Sequence, residues 1–212
     1  MNNQYVILRH GKSLKDTNDI IVCWPEKIYC PLTKEGEKQI QKVAQKLKKR
    51  KVDELRSSPR CADDCVIDLI FSSDLLRTKQ TAEIVGKELM IKPKFDKRLR
   101  EVNVGILNGK PINEVGRFWN KEGNLPPLEY YLKRFQVAPP KGENYAEIER
   151  RLSKFIKEID KKYQGKNILI IGHQRPLTLL EKVIYNYDLK RFINFILEKK
   201  RNKKGRTSQT KN

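Results

Sequence analysis

Short β-rich apolar runs that stop abruptly against glycine and charged residues constrain this chain most. Tyr5-Val6-Ile7-Leu8 ends at Arg9-His10-Gly11, residues 66–72 (VIDLIFS) end at Ser73-Asp74, and residues 167–171 (NILII) end at Gly172-His173. Runs of this length, bounded by turn residues, read as strands buried on both faces. Amphipathic stretches separate them. From residue 33 to about 50, Ile40, Val43, Ala44 and Leu47 share one helical face. Thr33 is placed to cap that helix, and Glu35 and Glu37 precede a Lys/Arg-rich last turn, as the helix dipole favours. After the second strand, Leu75, Thr78, Ala82, Val85 and Leu89 line one face of a helix whose first turn holds Arg77. A third long helix, about 145–163, carries Ile148, Leu152, Phe155, Ile156, Ile159 and Tyr163 on one stripe.

Strands alternating with such helices predict an α/β three-layer sandwich, a mostly parallel central sheet with helices on both faces. The 212 residues suit one domain with a sizeable core. The expected boundaries are a domain over 1–198 and a basic, disordered tail over 199–212. In parallel sheets ligands bind beyond the carboxyl ends of the strands. His10 and His173, the two histidines of the sequence, each follow such a strand beside a glycine.

The formal net charge of +20 invites a nucleic-acid reading, so its distribution matters. The tail holds seven Lys/Arg and no acid. Its expected role is a solvated terminus or a weak contact to RNA or another polyanion. Cys23, Cys30, Cys61 and Cys65 have spacings that do not match the paired C-x2-C of structural zinc sites. The N-terminus MNNQYVILRH carries no secretory signal pattern, so reduced thiols and a cytoplasmic location are expected. The longest apolar runs are strand-sized, and no membrane association is expected.

If His10 and His173 meet at the sheet edge, joined by Arg9 and Arg77, the result is an anion pocket. Guanidiniums offer forked donors matched to phosphate oxygens, and the helix starting near Leu75 adds backbone donors. A neutral imidazole in such a pocket can attack phosphorus, with the cations offsetting charge on the equatorial oxygens. No metal is needed, and neither a G-x-x-x-x-G-K-[ST] loop nor a Mg²⁺-type carboxylate cluster is found. A departing alkoxide needs a proton. Glu101, in Leu99-Arg100-Glu101-Val102-Asn103-Val104-Gly105, is the candidate donor.

These residues resemble the histidine phosphatase superfamily, the phosphoglycerate mutase-like family. The matching blocks, in the family's order, are Arg9-His10-Gly11, Pro31-Leu32-Thr33 with Gly36, Ser72-Ser73-Asp74-Leu75-Leu76-Arg77-Thr78 with Thr81-Ala82, Leu99-x-Glu101 with Gly105 and Gly109, Gly142-Glu143-Asn144, and Gly172-His173. The resemblance implies that His10 becomes the phosphohistidine and that Arg9, Arg77 and His173 hold the phosphoryl group. It makes Glu101 the proton donor and then the base for water, and puts Ser13 near the phosphate. No cofactor is implied. The expected partner is a small-molecule phosphate monoester, and the expected state is a monomer or homodimer.

The pattern departs from the family in four places. Six residues beyond the nucleophile, relatives commonly carry an Asn that binds the phosphoryl group, and this chain has Asp16, which repels a dianion unless protonated or turned away. Asn18 is a substitute by local shift. A surface insertion is expected at about 54–65. Gly172-His173 continues as Gln174-Arg175-Pro176, where glycolytic mutases have Gly-Asn-Ser, with Gln174 a candidate substrate contact. The irregular stretch 110–145, with Arg117, Trp119, Tyr130, Tyr131, Lys133, Arg134 and Phe135, is short for a mutase insertion. Those residues form either a lid or an ordinary helical cap. The expectation is a metal-independent phosphomonoester hydrolase. The alternatives are a cofactor-dependent phosphoglycerate mutase, or a catalytically weak relative acting as a phospho-ligand or RNA-binding module.

Overall fold

The computed structural model describes residues 1–49 and 66–208. The expected insertion at about 54–65, with Cys61 and Cys65, lies outside the described residues. In chain order the elements are β1 (Gln4–Arg9), α1 (Leu14–Asn18), α2 (Lys34–Lys49), β2 (Leu69–Ser72), α3 (Leu76–Leu89), β3 (Lys94–Phe95), α4 (Ile112–Arg117), α5 (Pro127–Gln136), α6 (Tyr145–Lys162), β4 (Asn167–Gly172), α7 (Gln174–Ile184) and α8 (Leu189–Ser208).

The described strands form one sheet in the order β1-β4-β2-β3, every pair parallel. Central β4 is buried on both faces, with Ile168, Leu169, Ile170 and Ile171 each 0% exposed, which is why its sequence is an unbroken apolar run. The pleat sorts these side chains between two cores. Ile168 and Ile170 pack with Phe71, Leu152, Phe155, Leu180 and Phe192, while Leu169 and Ile171 pack with Val6, Ile40, Ala44, Ala82 and Val85. The first core lies under α5 to α8 and the second under α2 and α3, giving the expected three layers. Burying each such aliphatic side chain is worth about 1.5–3 kcal/mol, so one strand ties both cores together.

Register then positions the site. Arg9 pairs with Gly172, and both Leu8 and Ser72 pair with Ile171. The next residues of the three strands, His10, His173 and Ser73, therefore emerge side by side at the carboxyl edge. His10 N–H donates to the Gly172 carbonyl at 3.1 Å and Ser73 N–H to the Ile171 carbonyl at 3.1 Å. Behind them α2 approaches so closely that a Cβ on Gly36 would meet the Lys12 carbonyl oxygen at 2.0 Å. Thr33 caps this helix as expected, its Oγ1 accepting from the Gly36 N–H at 3.0 Å.

Two segments are more regular than the sequence suggests. The stretch 110–145 folds into α4 and α5, and Trp119, Tyr131 and Phe135 pack into the main core. Pro127 opens α5 at a first-turn position that lacks an intrahelical partner anyway. The basic segment from 199 was expected to be disordered, whereas α8 continues through Ser208. Lysine and arginine are good helix formers, and Lys199 Nζ is anchored on Glu181 at 2.6 and 2.7 Å. Among the described residues no helix is long and apolar enough to cross a membrane.

Candidate active site

β1 and β4 deliver the two histidines, 5% and 0% exposed, with ring centroids 5.3 Å apart in an edge-to-face arrangement. His10 Nδ1 lies 2.8 Å from the Gly11 carbonyl oxygen. A carbonyl can only accept, so Nδ1 carries the hydrogen and donates it. That leaves Nε2 with a free lone pair, and Nε2 is buried with no hydrogen-bond partner. Burial above all, then the charges of Lys15 and Arg77, hold His10 down at about 3. The ring is therefore neutral near pH 7. His173 sets its Nε2 3.0 Å from Ser73 Oγ and leaves Nδ1 buried without a partner. Burial and Arg77 push it well below the usual histidine range too.

Arg77 is 0% exposed at the start of α3. Its Nη2 donates to the Val22 carbonyl at 3.0 Å, its Nη1 pairs with Glu26 at 3.1 Å, and its Nε is buried without a partner. The second oxygen of Glu26 accepts from the Leu76 N–H at 3.1 Å. The helix N-terminus expected to offer free backbone donors is thus partly occupied by a carboxylate, which the positive end of the dipole favours. Glu26 sits 51 residues before Arg77 in an unpatterned loop, and nothing in the sequence signals the pairing.

Arg9 Nη2 pairs with Asp16 Oδ1 at 2.9 Å, and Asp16 Oδ2 accepts from Ser13 N–H at 2.9 Å and Ser13 Oγ at 2.7 Å. The carboxylate is turned onto the start of its own helix. Burial opposes its ionisation, but the Ser13 hydroxyl and N–H, then Lys15 and Arg9, hold it below the usual carboxylate range. Asp16 is therefore charged near pH 7, offsets part of Arg9, and engages the Ser13 hydroxyl hydrogen. An open cavity of about 430 Å³ is lined by Arg9, His10, Gly11, Lys12 and Asp16.

Glu101 is 2% exposed and accepts from the Val102 N–H at 3.0 Å. Burial alone would raise its proton affinity, yet Lys15, Arg175 and Arg77 outweigh it and hold the carboxyl at about 2. Lys15 Nζ stands 3.6 Å from Glu101 Oε2. The sequence pattern pointed to neither Lys15 nor Arg175, since a lysine on a five-residue helix looks like any solvated charge.

Two expected contacts do not join this group. Asn18, proposed to substitute for residue 16, is exposed at the end of α1, and Asp19 then turns the chain at φ 52°. Gln174 is exposed as the first residue of α7 and lines a neighbouring cavity of about 440 Å³ together with Arg134, Tyr145 and Arg175. Of the lid candidates, Tyr130, Tyr131 and Arg134 also line that cavity, while Trp119 and Phe135 serve the core. Among the described residues no group of three or more His, Cys, Asp or Glu side chains is arranged to hold a metal ion.

Comparison with known proteins gives the family. Over 182 residues the chain is 28% identical to the probable phosphoglycerate mutase GpmB of Yersinia enterocolitica, covering 84% of this chain and 72% of that protein. Over 184 residues it is 28% identical to the 2,3-bisphosphoglycerate-dependent phosphoglycerate mutase of Nitrobacter winogradskyi, covering 84% and 79%. Among solved structures, a mycobacterial glucosyl-3-phosphoglycerate phosphatase superposes with a TM-score of 0.70 at 20% identity, over 90% of this chain and 82% of that one, a likeness of fold. The sequence model of the histidine phosphatase superfamily (branch 1) matches residues 5–202, from the first strand into the last helix. With both strand-end histidines inside that match, this chain belongs to the histidine phosphatase superfamily and is an enzyme of that type.

Proposed function

We propose that this enzyme hydrolyses phosphate monoesters of small metabolites through a phosphohistidine on His10, without a metal in the chemical step. The observation that carries this reading is His10 Nε2, a buried, partnerless lone pair on a ring kept neutral beside cations. In the first step that lone pair attacks phosphorus, the bond from phosphorus to the substrate oxygen breaks, and the departing oxygen takes a proton from Glu101. Arg9, Arg77 and His173 meet the charge on the equatorial oxygens. Water then attacks the phosphohistidine and gives a proton to Glu101 as the nitrogen–phosphorus bond breaks. Phosphate forms with His10 neutral and Glu101 protonated again. Free thiols at Cys23 and Cys30 fit a cytoplasmic location.

The test is phosphate release in the presence of a chelator, together with acid quenching to trap an acid-labile phosphoenzyme. His10→Ala is expected to lose turnover by about a thousandfold or more and to trap no label. Activity that survives this substitution removes the nucleophile assignment. The names of the two sequence relatives favour a second reading, a phosphoglycerate mutase. The same assay separates them, because a mutase interconverts phosphoglycerates with little free phosphate.

A further inference from the structure

The free site poses a question to the phosphohistidine reading, on which the following inference rests. Glu101 must deliver a proton, yet near pH 7 it is held as a carboxylate. The nearest cation is Lys15, whose side chain is 11% exposed against 3% for Glu101, with Nζ 3.6 Å from Oε2. Burying an ammonium this far is costly unless it has work to do or a counter-charge to meet. At 3.6 Å the pair is too long for a hydrogen bond, so redirecting the ammonium breaks no short contact. Position 16, one residue on, offers no donor to an anion, because its carboxylate is tied to Ser13 and Arg9. Lys15 also leads Arg77 and Arg9 among the charges that hold His10 neutral.

We propose that Lys15 is a further catalytic residue: its ammonium binds the phosphoryl oxygens in place of the missing donor at position 16 and, in turning from Glu101 to them, lets Glu101 take up the proton it passes to the leaving oxygen. The charges around the pair support this exchange. Glu101 is faced by Lys15, by Arg175 from α7, by Arg77 from α3 and by the Val102 N–H. Lys15 is faced by Glu101 and Asp16, which favour its charge, and by Arg77 and Arg9, which oppose it. His10 and His173 are neutral in the free site. An arriving dianion draws on the same cations that keep Glu101 ionised and adds negative charge beside it, both of which raise the proton affinity of a buried carboxylate. The proton comes from solvent on binding, passes to the departing alkoxide, is replaced by one from the hydrolytic water, and returns to solvent as phosphate leaves and Glu101 ionises again, so the cycle balances.

The experiment uses sulfate, a tetrahedral dianion with no titration of its own at neutral pH, and so reads binding and protonation without turnover. Calorimetric titrations in buffers of different ionisation enthalpy give the protons taken up per sulfate bound at about pH 6.5. The intact protein is expected to take up close to one proton, and Glu101→Gln to take up essentially none. Lys15→Met is expected to bind sulfate about tenfold more weakly and with reduced uptake, because its Glu101 already starts from a higher proton affinity. Lys15→Arg, which keeps the charge, is expected to restore binding to within about threefold. The alkaline limb of the kcat/KM profile, along which the proton donor is lost, should move to higher pH in Lys15→Met. Sulfate binding by the intact protein without proton uptake, or Lys15→Met binding as tightly as the intact protein, would overturn the proposal. Loss of the phosphohistidine reading shows separately, as phosphate release that survives in His10→Ala.

Discussion

Arg9 and Gly172 are register partners across β1 and β4, and this single pairing puts the two histidines together. Each is followed directly by a histidine, so a one-residue slip of either strand would send one ring to the opposite face of the sheet. Register is held by the apolar sorting of Ile168 to Ile171 between two cores, which makes the geometry of the candidate site a consequence of core packing.

That burial has a pH signature. His10 has a folded value of about 3 against 6.5 for an ordinary histidine, so the unfolded chain accepts a proton that the folded protein refuses. Its burial carries no protonation penalty above about pH 6.5, and stability falls as pH drops from there towards 3. Glu101, lowered from 4.5 to about 2, contributes stability that is full above 4.5 and lost as pH falls towards 2. Both act in the same direction. Thermal melting is expected to show a clear fall in Tm between about pH 7 and about pH 5 that shrinks in His10→Asn and again in the double variant with His173→Asn. An unchanged pH dependence in the double variant would remove the histidines as its source.

Glu26 competes with any bound dianion for Arg77 and the Leu76 N–H. In Glu26→Gln the amide oxygen can still accept from Arg77, while a negative charge is removed from the edge of the pocket. Product inhibition by inorganic phosphate is expected to tighten by about tenfold, with a modest fall in Tm. Inhibition constants measured at matched ionic strength decide the matter, and weaker inhibition would mean that Glu26 chiefly positions Arg77.

The parts of the site that were legible in the sequence are those delivered by local chain geometry. His10, His173 and Arg77 follow strand ends that the apolar runs announce, and Thr33 caps α2 through a contact three residues long. Glu26 and Lys15 were not legible, because their partners lie 51 and 86 residues away and only the fold supplies the meeting. Asp16 was recognisable as a departure, but its resolution needed Arg9 and Ser13 in place. The helices of 112–136 were obscured because Trp119, Tyr131 and Phe135 reach the core from short elements with little periodicity.

Gly36 is the tightest point between α2 and the turn after His10. An added methyl would fall 2.0 Å from the Lys12 carbonyl oxygen, a backbone atom that cannot step aside alone. Gly36→Ala is expected to cost about 1–3 kcal/mol in denaturant unfolding and to lower kcat, since Lys12 flanks the Gly11 carbonyl that orients His10. A stability loss with wild-type kcat would show that the turn relaxes away from the histidine.

Arg151 clips the segment bearing Glu101 to α6. Its guanidinium donates to the carbonyls of Arg98 and, at 2.8 Å, of Arg100, and it pairs with Glu143 at 3.0 Å. Glu143 in turn accepts from the Asn103 N–H at 2.9 Å, so the backbone is held on both sides of Glu101. Arg151→Met removes the fork while filling similar volume. It leaves Glu143 half-buried without its counter-ion, at a cost of about 3 kcal/mol. Because a displacement near 1 Å at a reacting group costs about a hundredfold, kcat is expected to fall by about 10- to 100-fold. Arg151→Lys should recover little of this, since an ammonium cannot span two carbonyls and a carboxylate in one plane. The check is kcat measured well below the Tm of each variant; wild-type turnover in Arg151→Met would show that Glu101 is placed by its own burial and not by the clip.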